Sequence, residues 1–146
     1  MFSHIVVGTD GSKTAARAVA IAAGLARQHD AVLHLVNAYK VPSMVMAVGI
    51  AGPAPVATEE IAPEAVVEAS QKLLEQTARE ADVSKIESHS GVGSAADVVV
   101  GVAEAVGADL IVVGSKGMTG ARRMIGSVPN SIAHRAPCHV LIAKTG

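Results

Sequence analysis

The first 38 residues restrict the possible folds more than any other stretch. Ile5-Val6-Val7 is a short apolar run of the kind that makes a strand buried on both faces. Gly8-Thr9-Asp10-Gly11-Ser12 ends it, and Ser12 can cap a helix. Ala15, Ala18, Val19, Ala22, Ala23, Leu25 and Ala26 then give that helix a broad apolar face. It runs out near Gln28-His29-Asp30, and residues 31–38, AVLHLVNA, read at once as a second strand. Only a parallel crossover fits so short a turn. Such units are right-handed and put ligand loops at the carboxyl ends of the strands. Residues 8–12 and 37–40 are therefore expected at one edge of the sheet. Asp10, the first charged residue, stands at a strand tip there. It reads either as a turn or cap acid or as a contact for a ribose hydroxyl or base amino group.

The pattern repeats along the chain. Residues 63–82 have apolar positions at helical spacing (Ala65, Val66, Ala69, Leu73, Thr77, Ala81), with Pro63 at a first helical position. Residues 84–90 alternate as a polar edge strand, which Gly91-Val92-Gly93 is expected to turn. Ser94 and Asp97 resemble a capping box, opening a helix that stops at Gly107. Residues 110–113 form a buried strand, residues 128–135 a last short helix and residues 138–143 a final strand. Five strands and four helices in alternation predict an α/β fold: an open, Rossmann-like parallel sheet with helices on both faces. A chain of 146 residues suits a single domain, residues 1–146. Residues 41–62, with Pro42, Pro53 and Pro55 and no clear period, read as a long flexible loop within it. That loop is either a lid or partner surface, built on Met44, Val45, Met46 and Val48, or a disordered insertion.

Residues 109–131 carry the strongest functional signal. A buried strand breaks into Gly114-Ser115-Lys116-Gly117, passes Gly120 and Arg122-Arg123, and reaches Gly126-Ser127-Val128-Pro129, a helix start. A glycine-rich loop, basic side chains and a helix N-terminus are the parts of an anion site. From Leu110 onward there are five basic residues (Lys116, Arg122, Arg123, Arg135, Lys144) and no acidic one, against 7 basic and 13 acidic before it. The alternative is a solvated basic surface.

Composition narrows the classes. With no Trp, one Phe and one Tyr, stacking platforms for single-stranded nucleic acid are nearly absent. A net charge of −1 gives no global attraction to nucleic acid or an anionic membrane, and no apolar run reaches about 18 residues. The lone cysteine, Cys138, lies in a strand-like run and suits a buried, inert thiol in a reducing, cytoplasmic setting. The six histidines (His4, His29, His34, His89, His134, His139) are scattered, with no metal-ligand spacing, so no metal site and no catalytic set are expected. G-x4-G-K-[ST] is missing, which leaves weak ATP hydrolysis at most rather than a dedicated enzyme. Residues 91–96, GVGSAA, match the form G-x-G-x-x-A. They follow a polar strand and lack the acidic residue some 20 positions on, so they read as a turn and cap.

Residues 5–12 (IVVGTDGS), 108–117 (ADLIVVGSKG), Gly126-Ser127-Val128 and 136–142 (APCHVLI) resemble, in this order, the universal stress proteins of the UspA type. The likeness runs the length of the chain except for residues 41–62. It implies the sheet order 3-2-1-4-5, a cytoplasmic protein, and a homodimer formed through the final strand, from Cys138 to Lys144. It also implies an adenine nucleotide as ligand: ATP, with Mg or Mn bridging its phosphates, or cyclic AMP or AMP instead. A branch of the family without the nucleotide motif is a dimeric interaction module. The nucleotide site carried over by the motif comprises Thr9, Asp10, Asn37, Ala38, Val113, Gly114, Lys116, Gly117, Gly126, Ser127 and Val128. Asp10 would meet adenine or ribose, Asn37 or Ala38 the adenine edge through the backbone, Val113 the base and Gly114 the ribose. Gly117, Gly126, Ser127 and Val128 would hold phosphates, with Lys116 in reach of their tail. The family's ATP motif is G-x2-G-x9-G-[ST]. Here eight residues, 118–125, separate Gly117 from Gly126, one fewer than that motif has.

Overall fold

The computed structural model describes residues 1–40, 63–115 and 127–145. The elements run β1 (His4–Gly8), α1 (Lys13–His29), β2 (Val32–Tyr39), α2 (Pro63–Ala81), β3 (Ile86–Val92), α3 (Ala95–Val106), β4 (Leu110–Gly114), α4 (Val128–Arg135) and β5 (His139–Ala143). All strand pairs are parallel, in the order β3-β2-β1-β4-β5. The expected order and class are the observed ones. The lid-or-insertion question for residues 41–62 lies outside the described residues.

Alternation along the central strands builds two cores. Ile5 and Val7 of β1, Leu33 and Leu35 of β2, and Leu110 and Val112 of β4 point to one face, where Ala18, Ala22 and Ala26 of α1 and Leu74 of α2 cover them. Val6, Val36 and Ile111 point to the other, under Val99, Val100 and Ala103 of α3 and Ile132 of α4. The many alanines of α1 let its backbone lie close to the sheet.

The helix starts follow the capping logic. Ser12, Ser94 and Ser127 have extended backbones, and their hydroxyls accept the N–H of Ala15, Asp97 and Asn130 respectively. Asp97 also takes Arg135 at 2.6 Å, tying α3 to α4, and its carboxyl is held below its ordinary range by the Ser94 hydroxyl and then by Arg135.

Several boundaries differ from the sequence reading, and two of the differences bear on packing. The strand expected over residues 84–90 runs instead from Ile86 to Val92, and Gly91 lies inside it rather than in the turn. A side chain at Gly91 would place Cβ 2.7 Å from Val98 Cγ1, so the residue serves close packing of α3 on β3. Cys138 precedes β5 rather than sitting in it; it is partly buried, and burial pushes its thiol up, as an inert thiol requires.

The amino ends of β1 and β4 are joined by a carboxylate. Asp109 Oδ2 accepts the N–H of Ser3 (2.6 Å) and of His4 (2.8 Å). These donors, His4 first, hold the carboxyl below its ordinary value. The folded chain therefore takes up this proton less readily than the unfolded chain. The stabilisation is present above about 3.8 and is lost as pH falls further, through the folded value. Asp109→Ala should cost about 1 kcal/mol at pH 7. In urea melts, the gap between variant and wild type should narrow below that pH; a gap that is constant with pH would contradict the assignment.

Candidate functional site

The strand order reverses between β1 and β4. The chain leaves β1 in one direction and later crosses to its other side, so the loops after these two strands diverge. A cavity of about 490 Å³ opens there. Its walls come from the carboxyl ends of three strands: Gly8, Thr9 and Asp10 after β1, Val36 and Ala38 of β2, and Val112, Val113 and Gly114 of β4. The N-terminal turns of α1, α3 and α4 close it, through Ser12 and Ala15, Ala95 and Val99, and Ser127, Val128 and Ile132.

Its chemistry is divided. Val36, Ala38, Val99, Val113 and Ile132 make an aliphatic slot, suited to a flat heterocycle. At the rim, helix N-termini present backbone N–H groups and the positive ends of their dipoles, favourable to an anion. Among the described lining residues, Asp10 is the charged one.

The β1–α1 loop is held in several ways. Thr9 N–H donates to Val36 O (2.8 Å), and its hydroxyl accepts the N–H of Gly11. Asp10 Oδ1 accepts the N–H of Ser12 at 2.9 Å, an Asx turn. Gly11 has φ +81°, a left-handed conformation natural to glycine. Asp10 thus shapes the turn and also lines the cavity.

Among the expected residues, Thr9, Asp10, Ala38, Val113, Gly114, Ser127 and Val128 come together around this one cavity. Asn37 does not line it. Its buried amide donates to Thr9 O (2.8 Å), and its Oδ1 accepts the Ser70 hydroxyl (2.7 Å), which also pairs with Ser90 (2.6 Å). Asn37 thereby ties the Asp10 loop to α2 and β3 from behind. Lys116, Gly117 and Gly126 lie outside the described residues. Ala15, Val99 and Ile132 also line the cavity; in the sequence Ala15 belongs to an apolar helix face, and Val99 and Ile132 fall inside predicted helices.

Three of the six histidines are not scattered. His4, His34 and His89 stand in a row across β1, β2 and β3, with ring nitrogens 3.0 and 2.9 Å apart. Their separation in the chain hid this, because only the parallel register brings them together.

A family model described as the universal stress protein family matches residues 1–144. The chain belongs to the universal stress protein family. A universal stress protein of Mycobacterium tuberculosis is 35% identical over 155 residues, covering 99% of this chain and 97% of the relative. One from Methanocaldococcus jannaschii is 30% identical, covering 99% and 83%. Among solved structures, a universal stress protein crystallised in complex with cAMP is similar with a TM-score of 0.79 and 30% identity, covering 99% of each chain. The UspA structure from Lactobacillus plantarum is similar in fold, with a TM-score of 0.74 and 22% identity, covering 97% of each chain.

Proposed function

We propose that the chain is an adenine-nucleotide-binding universal stress protein with a regulatory role in the cytoplasm, not a dedicated enzyme. The observation that carries this reading is the cavity at the β1/β4 reversal. It combines an aliphatic slot, a carboxylate at the strand tip and a capped helix N-terminus at its rim. In this reading the base lies against Val36, Ala38 and Val113, Asp10 meets the ribose or base, and the phosphates approach Ser127 and Val128. Lys116, Gly117 and Gly126 complete the phosphate side.

ATP with a bridging Mg or Mn is the ligand that the pattern of Gly114, Gly117, Gly126 and Ser127 calls for. Cyclic AMP is the second reading. It is supported by the related protein crystallised with cAMP and by the loop of eight residues, which suits a smaller anion. At most, slow hydrolysis accompanies ATP binding.

Calorimetric titration with ATP, AMP and cyclic AMP tests both readings. We expect stoichiometric binding of at least one of them, with the tighter of ATP and cyclic AMP deciding between the two. Ala38→Phe fills the slot and should weaken binding about tenfold or more at unchanged fold. No binding at millimolar ligand, or an unaffected Ala38→Phe, contradicts the site.

We also infer a homodimer through β5, a sheet edge on which Leu141 and Ile142 are 38% and 40% exposed. Light scattering should give twice the chain mass, and Ile142→Lys should reduce it to one; a monomeric wild type removes the inference.

A further inference from the structure

Three side chains away from the cavity meet on two neighbouring strands. On β3, Glu87 and His89 are two residues apart and so share a face of the sheet. On β2, His34 stands in register with Glu87, while His89 is one step further along, opposite Val36. The result is a compact donor set. His34 Nδ1 lies 2.9 Å from His89 Nε2 and 3.5 Å from Glu87 Oε2, and the last two atoms are 4.0 Å apart. The point in their plane that is equidistant from all three lies about 2.1 Å from each, the bond length zinc makes to imidazole nitrogen and carboxylate oxygen, and a small separation of the His34 and His89 rings from their 2.9 Å hydrogen-bond distance opens this set to a tetrahedral ion.

Access and support are both suitable. His34 is 1% exposed, whereas His89 and Glu87 are 27% and 60% exposed on the edge strand, so an ion can enter from the open side and keep a water there. The other nitrogen of His34, Nε2, lies 3.0 Å from His4 Nδ1. With Nδ1 on the ion, the Nε2–H of His34 would donate to His4 Nδ1, a contact that holds the ring's orientation. Two imidazoles and one carboxylate suit a late first-row divalent ion rather than calcium or magnesium.

From this geometry we propose that His34, Glu87 and His89 form a zinc site that clips the edge strand β3 to β2. The site lies on the α3 side of the sheet, one same-face step along β2 from Val36, and is distinct from the nucleotide cavity. Its consequence is mechanical. β3 is the most polar strand, with no fully buried residue, and the ion supplies an anchorage its side chains do not.

Zinc binding to the untagged chain, free of nucleotide, tests this by equilibrium dialysis, with cobalt absorption as a second probe. We expect one ion per chain and a zinc-dependent rise in the melting temperature. His89→Ala and Glu87→Gln, both at accessible positions, should lose binding and the thermal shift while keeping the wild-type apo circular dichroism. His4→Ala should weaken binding about tenfold or more, and His134→Ala should leave it unchanged. Absence of saturable binding in the wild type, or binding that survives in both His89→Ala and Glu87→Gln, overturns the site.

Discussion

The molecule depends on the parallel pairing of β1 with both β2 and β4. Ile5, Val6 and Val7 are fully buried, so β1 must have a neighbour on each side and a helix layer on each face. Right-handed crossovers then decide the rest. Moving outward from β1 to β2 and β3 puts α1 and α2 on one face; returning past β1 to β4 and β5 puts α3 and α4 on the other. The two sets of loops part at β1 and β4, and the cavity is the space they leave. It follows from topology, and the side chains only determine what it prefers.

Those side chains share the work between strands and helix starts. The valines of β2 and β4 give an apolar slot without aromatic rings, in keeping with a chain that has almost none. Asp10 is placed by its own Asx turn, by Thr9 pinned to Val36, and by Asn37 behind it. Removing the Asn37 amide would leave the Thr9 carbonyl and the Ser70 hydroxyl without this partner, a cost of about 1–3 kcal/mol. The same sheet carries the histidine and glutamate cluster lower on its α3 side. If both proposals hold, one scaffold carries two chemically different places, one for an anion and a heterocycle, the other for a borderline divalent cation.

Much of this was legible in the sequence, for physical reasons. Buried parallel strands are short apolar runs, and Ser12, Ser94 and Ser127 mark helix starts because a hydroxyl must satisfy an N–H there. The seven cavity residues were implied by the resemblance to the universal stress proteins, while residue chemistry by itself pointed to Asp10 at a strand tip and to the helix start at Ser127. What the sequence could not show depends on contacts between distant segments. Gly91 belongs to a strand because it pairs with Ala38, and it is glycine because Val98 leaves no room for a side chain. Asn37 braces the loop only because Ser70 and Ser90 arrive beside it. The histidines became a cluster through register, which no local pattern encodes.

Occupation of the β1/β4 cavity by an adenine nucleotide can be read residue by residue by amide chemical-shift mapping on the full chain. On adding nucleotide, the amides of Gly8 to Ser12, Ala38, Val113 to Ser115, and Ser127 and Val128 should shift together and saturate. Those of β5 and of the α1 C-terminus should stay in place. Shifts that miss these three loops, or no shifts at saturating ATP and cyclic AMP, would contradict the account.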